Sequence, residues 1–436
     1  MVIYNLISFF GIFVFIFIAW LFSFNRKKIN WRAILWGLFL QFLFAFFVFQ
    51  FSLGPALFKF INEAVIKMLS FARDGMYFVF GRLAVPPNTI GPSGEESLGF
   101  ILVFQSLPAV IFFSTLMAIL YQMGIMQKVV KAFAYVFTKL MNMSGAEALC
   151  TSSNIVVGIE SVFTIRPYIN DMTVSELCTI LTAGMATVAS TVMAVYVSFL
   201  YQKFPTIAGH LISASILSAP ATIIISKLIY PEEGIPKTLG KVVEVGYERA
   251  SNIIEAIIKS ANEGVKLIVG IVALLLSFLG LLSMVNWFIT ILGRELGKFL
   301  NIPLDLSLEK ILSFIYYPFS FLMGIPLEDI GKVSILLGER TILTELVSYQ
   351  HLAKFINEGI ITNQRSIVIV SYALCGFAHI ASLAIFVGGI SAIAPNRLKD
   401  LTKVGFRALI GATLACLMTA AVAGIFATAA STIMKF

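Results

Sequence analysis

Long apolar runs with almost no charges are the feature that most constrains this chain of 436 residues. A helix that crosses a bilayer needs about 20 predominantly apolar residues and satisfies its backbone polar groups within itself. Such runs recur from end to end, so that 59% of the residues are hydrophobic and 12% are charged. A soluble domain is about 25% charged. The pattern predicts an all-α polytopic membrane protein and excludes a soluble enzyme or a nucleic-acid-binding protein.

Eight segments have the length and composition of full spans. They are residues 3–24, 34–57, 100–122, 175–200, 209–230, 264–292, 365–394 and 404–433. The basic cluster at 26–32 follows the first of them. Because Lys and Arg accumulate in cytoplasmic loops, this cluster places the first loop inside and the N-terminus outside. The first run has no basic flank before it and no small-residue cleavage site, so we interpret it as a retained span.

Two further stretches are interpreted as lying outside the bilayer core. Residues 126–142 carry Lys128, Lys131 and Lys139 among apolar residues, which is typical of a helix at the membrane surface. Residues 231–263 are charged and mixed, and we expect a connector followed by a surface helix there. We expect no separate soluble domain, and we attribute the net charge of +8 mainly to cationic loops.

The four cysteines are predicted to be small buried hydrophobes. They are Cys150, Cys178, Cys375 and Cys416. They lie far apart in apolar stretches, and the sequence has neither a CxxC pair nor a group of several cysteines and histidines at metal-ligand spacing. A site that depends on sulfur is therefore not expected.

Two segments, 145–166 and 311–350, are too polar or too interrupted to be lipid-facing spans. The helix-breaking residues of the second are Pro318, Gly324, Pro326 and Gly338. Broken helices survive at membrane depth only where they are buried in protein or line a wet cavity. A pair of interrupted segments in corresponding halves is also the best sequence indication of a transporter binding site. We therefore predict two re-entrant hairpins in an internal repeat; the alternative is two ordinary buried helices of poor hydropathy.

The repeat suggests three regions. Residues 1–142 would form N-terminal scaffold spans and a surface helix. Residues 143–230 would form the first hairpin with its following spans, as transport repeat 1. Residues 231–436 would hold a connector, a scaffold span, the second hairpin and the C-terminal spans, as transport repeat 2.

Two acidic residues in these segments are candidate site residues. Glu160 follows Gly158 at the expected tip of the first hairpin, and Glu345 lies at the end of the second. A carboxylate at the centre of a spanning helix costs about 2.5–3.5 kcal/mol on insertion scales, so it needs a partner. Ionised carboxylates only accept hydrogen bonds, and two of them would suit a donor-rich polar solute. The alternative is a structural ion pair of each with a nearby arginine, Arg166 or Arg340.

Polar residues near the first hairpin suggest a cation site. The Asn154 amide oxygen, together with carbonyls freed where a helix breaks, suits a hard monovalent cation such as Na⁺, and Thr187 and Thr191 are candidate hydroxyl partners. Alternatively, Asn154 is a helix cap and the threonines bond their own backbone.

A third group of polar candidates lies in the span 365–394. His379 and Ser382 are three residues apart and are predicted to share a helical face. Imidazole can carry a proton at physiological pH, but a satisfied interior histidine is the alternative. Phe377 could stack on a planar ligand, or it could be one more of 40 phenylalanines.

Several runs resemble the concentrative nucleoside transporter family, in order from about residue 100 to the C-terminus. In the first half they are LPAVIFFSTLMAILYQMGIMQKVV, SGAEAL, NIVVG and IRPYINDMTVSEL. In the second half they are NIIEAIIKSANEGVKL, MGIPLED, TELVSY and YALCGFAHIASLAIFVGGISAIAP. The resemblance implies a homotrimer with eight spans per protomer, two re-entrant hairpins and surface helices. It implies nucleoside uptake by symport with Na⁺, or with H⁺ in some members, at a bacterial cytoplasmic (inner) membrane, with no organic cofactor and no nucleic-acid partner.

The resemblance also implies roles by position. Glu345 and Ser382 match residues that hold the ribose, Phe377 matches a residue near the base, and Glu160 matches the hairpin-tip residue that contacts the base. Gly158 and Val192 complete the candidate substrate-binding set. The implied Na⁺ ligands are Asn154, the carbonyl of Val157, Thr187 and the carbonyl of Val188.

The sequence also differs from the family pattern at positions to which these roles are assigned. The tip Gly158-Ile159-Glu160 is one residue shorter than the family's Gly-Gln-Thr-Glu or Gly-Gln-Ser-Glu, so the base-reading Gln and the hydroxyl residue that helps to ligate Na⁺ are both missing. In addition, His379 stands where the family has an Asn on the ribose. Because the base-reading Gln is missing, base selectivity should differ. An H⁺-coupled carrier of a nucleoside-like solute that uses His379 remains an alternative, and a membrane enzyme or sensor with two carboxylates is a more distant one.

Overall fold

The structure, a computed structural model, describes residues 2–51, 53–87, 89–244, 250–300 and 306–427, apart from the side chains of 53–55, 159–160 and 300. In these ranges the chain forms seventeen α-helices and four short 3₁₀-helices, with no β-strand. The expected all-α fold class is confirmed.

Seven segments are long and apolar enough to cross a membrane. They are α1 (Val2–Leu21), α2 (Trp31–Phe49), α4 with α5 (Leu102–Gln105 and Ala109–Gln122), α8 with α9 (Val174–Ala186 and Ser190–Leu200), α10 (Ile207–Ile229), α11 (Ile253–Leu300) and α17 (Leu398–Phe426). The eighth predicted span, 365–394, consists of two shorter helices, α15 (Gln364–Leu374) and α16 (Ile380–Ile393). All eight predicted spans therefore contain helices, and residues 428–433 of the last one lie outside the described residues.

The predicted end of the second span, residue 57, is wrong. Helix α2 ends at Phe49, and a separate helix, α3 (Leu53–Phe80), begins after the turn. The apolar composition continues through this turn, so hydropathy alone does not reveal it. Helix α3 itself was not expected because charged residues lower its hydropathy. Its buried residues follow helical spacing along one face and include Phe58, Val65, Leu69, Ala72 and Met76.

The predicted helix at 126–142 is confirmed as α6 (Ile125–Met141), an amphipathic helix that buries Val130, Ala134 and Phe137. The surface helix expected near the end of 231–263 is wrong, because those residues form the first turns of α11 and continue unbroken into the predicted span. The charges there lie on a helical surface, where Glu255 and Lys259 form an ion pair of 2.5 Å between positions i and i+4.

Both interrupted segments fold as helical hairpins. The first consists of α7 (Gly145–Asn154), a tip at residues 155–158 and a 3₁₀-helix, Ile159–Ile165. The second consists of α13 (Leu327–Ile342) and α14 (Glu345–Asn357), and α12 (Leu308–Leu322) packs against it.

The second hairpin differs from the prediction in where its helices break. Pro318 lies inside α12, and Gly338 lies inside α13. A Cβ atom at Gly338 would be 3.2 Å from the carbonyl oxygen of Glu309, so this glycine permits the close approach of α12 rather than a break. The actual breaks are at 323–326 and at 343–344.

The two hairpins begin at opposite ends of α1, which at 1.5 Å per residue is about 30 Å long. Beyond its C-terminal end, the Phe24 amide donates to the carbonyl of Ile229, in the last turn of α10, at 2.8 Å. In that turn Lys227 lies 2.6 Å from Glu147, at the base of the first hairpin. Near the N-terminal end of α1, Ser8 donates to the carbonyl of Met323, just before the second hairpin, at 2.7 Å. The tips of the two hairpins therefore approach from opposite sides.

The same order of elements occurs twice: a hairpin, a broken span and an unbroken span. The broken spans are α8–α9, interrupted at 187–189, and α15–α16, interrupted at 375–379. The two interruptions touch at Gly376, where a Cβ atom would be 3.1 Å from the carbonyl oxygen of Ala186. The fold thus brings two hairpin tips and two helix breaks into one region.

Candidate functional site

A cavity of about 290 Å³ lies where these tips and breaks meet. Its lining includes most of the predicted substrate residues, namely Gly158, Val192, Glu345, Phe377 and His379, together with Thr187 from the predicted cation set. The opposite wall is formed by one face of α11, which contributes Leu267, Ile271 and Lys266. Glu160 belongs to the first turn of the 3₁₀-helix, but its side chain lies outside the described residues.

Glu345 is buried, with 2% of its surface exposed, and is the first residue of α14. The unpaired N–H groups of a helix N-terminus favour a negative charge at this position. Its Oε1 atom accepts a hydrogen bond of 2.6 Å from the hydroxyl of Tyr196. Its Oε2 atom lies 3.2 Å from Nε2 of His379. The carboxyl group of Glu345 therefore lies at a helix N-terminus, accepts a hydrogen bond from a phenol and has an imidazole beside it.

Arg340, the alternative partner considered for Glu345, forms its hydrogen bond with a backbone carbonyl instead. Arg340 is fully buried, and its guanidinium donates to the carbonyl of Ala373 in the last turn of α15. Helix carbonyls at this end are short of donors, so a cation is favourable there. Arg340 thus attaches the second hairpin to the first half of the broken span and does not neutralise Glu345.

Tyr196 is a site residue that the sequence reasoning missed. Its ring stacks on that of Tyr349, with ring centroids 4.5 Å apart and planes inclined by 17°. Tyr349 in turn donates to the carbonyl of Ser371 at 2.6 Å. A helical spacing of four residues, from Val192 to Tyr196 and from Glu345 to Tyr349, is the signal that could have placed both tyrosines beside the site.

His379 is the N-cap of α16, not a residue on its face. Its Nδ1 atom accepts the backbone N–H of Ser382 at 3.2 Å. The Ser382 hydroxyl donates to the carbonyl of His379 at 2.6 Å and accepts its backbone N–H at 3.3 Å. The predicted shared helical face of His379 and Ser382 is therefore wrong, because residue 379 precedes the helix. Ser382 is fully buried behind His379, with its hydroxyl engaged in this capping box.

Two buried polar atoms lie close together without forming a hydrogen bond. Glu345 Oε2 and His379 Nε2 are 3.2 Å apart, yet neither atom has an aligned hydrogen-bond partner. An unsatisfied buried polar group costs about 1–3 kcal/mol. A donor and an acceptor left side by side are complementary to neighbouring hydroxyl groups, each of which can both donate and accept. The half-buried ring of Phe377 lies 5.4 Å from the imidazole, centroid to centroid, and offers an apolar face beside this pair.

The predicted cation residues gather next to the cavity. Asn154 is fully buried; its Nδ2 donates to the carbonyl of Cys150 at 3.1 Å, and its Oδ1 has no hydrogen-bond partner. As the last residue of α7, Asn154 is not an N-cap, so that alternative is wrong. Thr187 does bond its own backbone, donating to the carbonyl of Ala183 at 2.9 Å, but its hydroxyl oxygen can still accept.

Backbone carbonyls are also available near Asn154. The Ser190 amide donates to the Val156 carbonyl at 3.2 Å, which joins the first hairpin tip to the break in the first span. In the described part of the chain, no backbone N–H donates to the carbonyl of Val157 or of Val188. Because α7 and α8 both end here, the negative ends of two helix dipoles converge. These residues fit a small cation with oxygen ligands.

The ends of the half-helices therefore give the two parts of the site opposite partial charges, positive at the cavity and negative beside Asn154. Helices α9, α14 and α16 begin at the cavity and present N-termini to it, whereas α7 and α8 end beside Asn154. This is the arrangement expected of discontinuous helices that serve a polar solute and a cation at membrane depth.

Repeated hairpins and broken spans around a largely apolar cavity with a few buried polar groups are the architecture of a multi-pass membrane transporter. A family model described as "Na+ dependent nucleoside transporter C-terminus" matches residues 210–424, and the corresponding N-terminal model matches residues 10–83. A third, "Nucleoside recognition", matches residues 103–203. The chain belongs to the concentrative nucleoside transporter family, as its motifs suggested.

Individual relatives agree with this assignment. Solute carrier family 28 member 3 of Mus musculus is 36% identical over 97% of this chain, which spans 59% of the length of that relative. An uncharacterized transporter of Bacillus subtilis is 34% identical, with 94% of this chain and 96% of that protein covered.

Solved structures show the same fold. CNTnw in an inward-facing substrate-bound state has a TM-score of 0.86 at 31% identity, covering 97% of this chain and 99% of that chain. A CNTnw variant in an outward-facing state has a TM-score of 0.87 at 30% identity, with the same coverage. The family comprises transporters and not enzymes, so the membrane enzyme or sensor that the sequence left open is set aside.

Proposed function

We propose that this protein is a secondary active transporter that imports nucleosides by symport with Na⁺. The observation that carries the proposal is the buried pair of Glu345 Oε2 and His379 Nε2, 3.2 Å apart and without aligned partners, in a cavity between two hairpin tips. A ribose supplies neighbouring hydroxyls for this donor and acceptor, and Phe377 supplies a face for the base. The family to which the chain belongs is one of Na⁺ dependent nucleoside transporters.

In this proposal the substrate residues are Glu345, His379, Phe377, Gly158 and Val192, with Tyr196 orienting Glu345. Glu160 is proposed from its matching position alone. Ser382 acts through the cap that holds His379, since its hydroxyl bonds to the His379 backbone. The Na⁺ ligands are the Asn154 amide oxygen, the Thr187 hydroxyl, and the carbonyls of Val157 and Val188.

Cation binding would stabilise the substrate-competent state. The tip at 155–158 and the break at 187–189 contribute both the cation ligands and part of the cavity wall. Ordering these segments around Na⁺ therefore also orders the nucleoside site, and the resulting coupling of binding free energies is reciprocal. Nucleoside should correspondingly raise the affinity for Na⁺.

Alternating access would move the hairpins and broken spans of both repeats against a scaffold that includes the N-terminal spans and α11. The cavity lies between these two parts, since α11 forms its outer wall. The hairpins are proposed to be re-entrant from opposite faces of a bacterial inner membrane. A homotrimer is proposed from the family resemblance, and the many exposed apolar side chains of α11 would face lipid or neighbouring protomers.

Uptake by purified protein in proteoliposomes tests the proposal. Tritiated uridine and adenosine should accumulate against a gradient when Na⁺ is imposed outside, and replacement of Na⁺ by choline should abolish accumulation. A competition panel of unlabelled nucleosides would then define base preference. Accumulation driven by a pH gradient without Na⁺ would support H⁺ coupling instead. Absence of nucleoside accumulation under every gradient would overturn the proposed function.

A further inference from the structure

We infer that the phosphate group of an anionic membrane lipid binds to Lys403 and Arg407, between the end of α1 and the first turns of α17. This lipid site lies at the face of the protein that the basic cluster at 26–32 predicts to be cytoplasmic. It shares no residue with the substrate cavity or with the cation residues. The inference therefore does not depend on which solute the protein transports.

The aromatic ring of Phe24 forms the floor of the lipid site. The Phe24 amide donates to the carbonyl of Ile229 at 2.8 Å, and its ring stacks on that of Tyr230, with centroids 4.8 Å apart and planes inclined by 9°. Nζ of Lys403 and Cζ of Arg407 each lie 5.6 Å from the centroid of the Phe24 ring. Cations are attracted to an aromatic face. Two positive charges are therefore held at one ring whose own position is fixed by α10.

The two cations have no acidic partner among the described residues. Lys403 and Arg407 occupy positions i and i+4 of α17, where like charges destabilise a helix. Asp400 precedes them in the same helix, but its carboxylate is paired with Arg397 at 2.9 Å. A bound anion would replace the repulsion between the two cations by attraction to both.

The turn after α1 adds to the positive charge of this surface. Residues 26–28 are all basic and exposed, and the guanidinium of Arg26 lies 5.7 Å from the ring centroid of Trp20. A carboxylate, Glu233, is attached to this turn through a hydrogen bond of 2.9 Å from Asn25. One acidic side chain does not balance three basic ones, so the surface around the lipid site remains cationic.

The position of the site favours a lipid over a soluble phosphate. Helix α1 ends at Leu21 and α17 begins at Leu398, so the cations lie at the ends of two spans, at the depth of the lipid headgroups. Apolar side chains adjoin them on the same two segments, and Leu21, Phe22 and Phe406 are exposed. A soluble phosphate would leave these side chains uncovered, whereas the acyl chains of a lipid would cover them. Anionic lipids of the cytoplasmic leaflet also attract basic segments next to spans.

Lipid titrations of the purified protein in detergent test the inference. We expect the thermal midpoint to rise with phosphatidylglycerol and to stay unchanged with phosphatidylcholine of the same acyl chains or with inorganic phosphate. Lys403→Gln and Arg407→Gln should each raise the phosphatidylglycerol concentration for a half-maximal rise about fivefold. An equal response to phosphatidylcholine would show that the headgroup charge is not recognised, and an equal response to inorganic phosphate would show that the ligand is not a lipid. Either result would overturn the inference.

A double variant at the same face of the protein is the matched control. Lys128→Gln with Lys131→Gln removes two exposed cations from α6, whose last turn adjoins the first loop because Arg32 donates to the carbonyl of Leu140 at 3.0 Å. This double variant should respond to phosphatidylglycerol as the wild type does. If it loses as much affinity as the double variant at 403 and 407, the attraction is a general surface effect and no lipid site exists on α17.

A conservative substitution separates lost charge from lost folding. Arg407→Lys keeps the positive charge and should keep most of the response to phosphatidylglycerol, unlike Arg407→Gln. The side chain of Lys403 is exposed, so Lys403→Gln is expected to fold even if Arg407→Gln does not. Native mass spectrometry of Lys403→Gln and the wild type then compares retained phosphatidylglycerol directly. Equal retention by the two proteins would rule out the proposed lipid site.

Discussion

The hydroxyl of Tyr196 donates to Glu345 across 2.6 Å, although the two residues are 149 positions apart in the chain. Tyr196 belongs to the second half of the first broken span, and Glu345 begins the second arm of the second hairpin. One hydrogen bond thus connects the two halves of the repeat at the carboxylate that we assign to the substrate. The stacked ring of Tyr349 holds the phenol in place from the same helix as Glu345.

Removing this hydroxyl should weaken nucleoside binding without unfolding the site. Tyr196→Phe keeps the stacking on Tyr349 but deletes a hydrogen bond to a charged group, which is worth about 1.5–3 kcal/mol. We expect the nucleoside Kd, measured by calorimetry in saturating Na⁺, to rise roughly 10- to 100-fold. Tyr349→Phe is the matched control: it loses the bond to the Ser371 carbonyl and should lower thermal stability more than affinity. Unchanged affinity in Tyr196→Phe would remove Tyr196 from the site.

Glu345→Gln should abolish nucleoside uptake while leaving expression and assembly intact. Glutamine has the same shape, but it replaces one carboxylate oxygen by a donor, so it cannot accept from both Tyr196 and a sugar hydroxyl as a carboxylate does. Uptake in proteoliposomes is the measurement, and size-exclusion chromatography checks assembly. Glu358→Gln, at the exposed end of the same hairpin, is the control and should transport normally. Wild-type uptake by Glu345→Gln would contradict the assignment.

Asn154→Ala should shift the Na⁺ dependence of transport. The substitution removes a buried amide oxygen that has no partner within the protein. Loss of one oxygen ligand of several should raise the Na⁺ concentration for half-maximal uptake by roughly tenfold, which corresponds to about 1.4 kcal/mol. The matched control is Asn262→Ala, on an exposed part of α11. If Na⁺ titrations of Asn154→Ala and wild type superimpose, no Na⁺ site exists at this residue.

The base of the first hairpin depends on a buried ion pair between Lys227 and Glu147, which are 2.6 Å apart and respectively 6% and 1% exposed in their side chains. Lys227→Met leaves a buried carboxylate without its cation, and breaking one partner of such a pair costs about 3–5 kcal/mol. We expect a clear fall in the thermal midpoint of the protein in detergent. The double variant Lys227→Met with Glu147→Gln removes the unpaired charge and should recover much of that loss. If the double variant loses as much thermal stability as the two single variants together, the interaction between Lys227 and Glu147 does not stabilise the protein.

The sequence alone was enough to predict the features that depend on the composition of one segment. A spanning helix satisfies its own backbone, so hydropathy located all eight predicted spans, including the two that turn out to be broken. The interrupted composition of 145–166 and 311–350 likewise predicted two hairpins. Motif resemblance identified the family. Residue chemistry had already singled out Glu345, Phe377 and His379, which the fold does bring to one cavity.

Only the tertiary structure decided which side chains meet and where helices end. Gly338 is a packing position because α12 lies against it, and Arg340 binds the carbonyl of Ala373 because α15 happens to end there. The amphipathic α3 and the unbroken α11 depend likewise on the neighbours that cover one face or leave it exposed. The bond from Tyr196 to Glu345 has no local signature, since it joins segments whose distance is set by all the helices between them. Interactions within each segment are enough to form the helices. The substrate site, in contrast, exists only because the helices pack together in one arrangement.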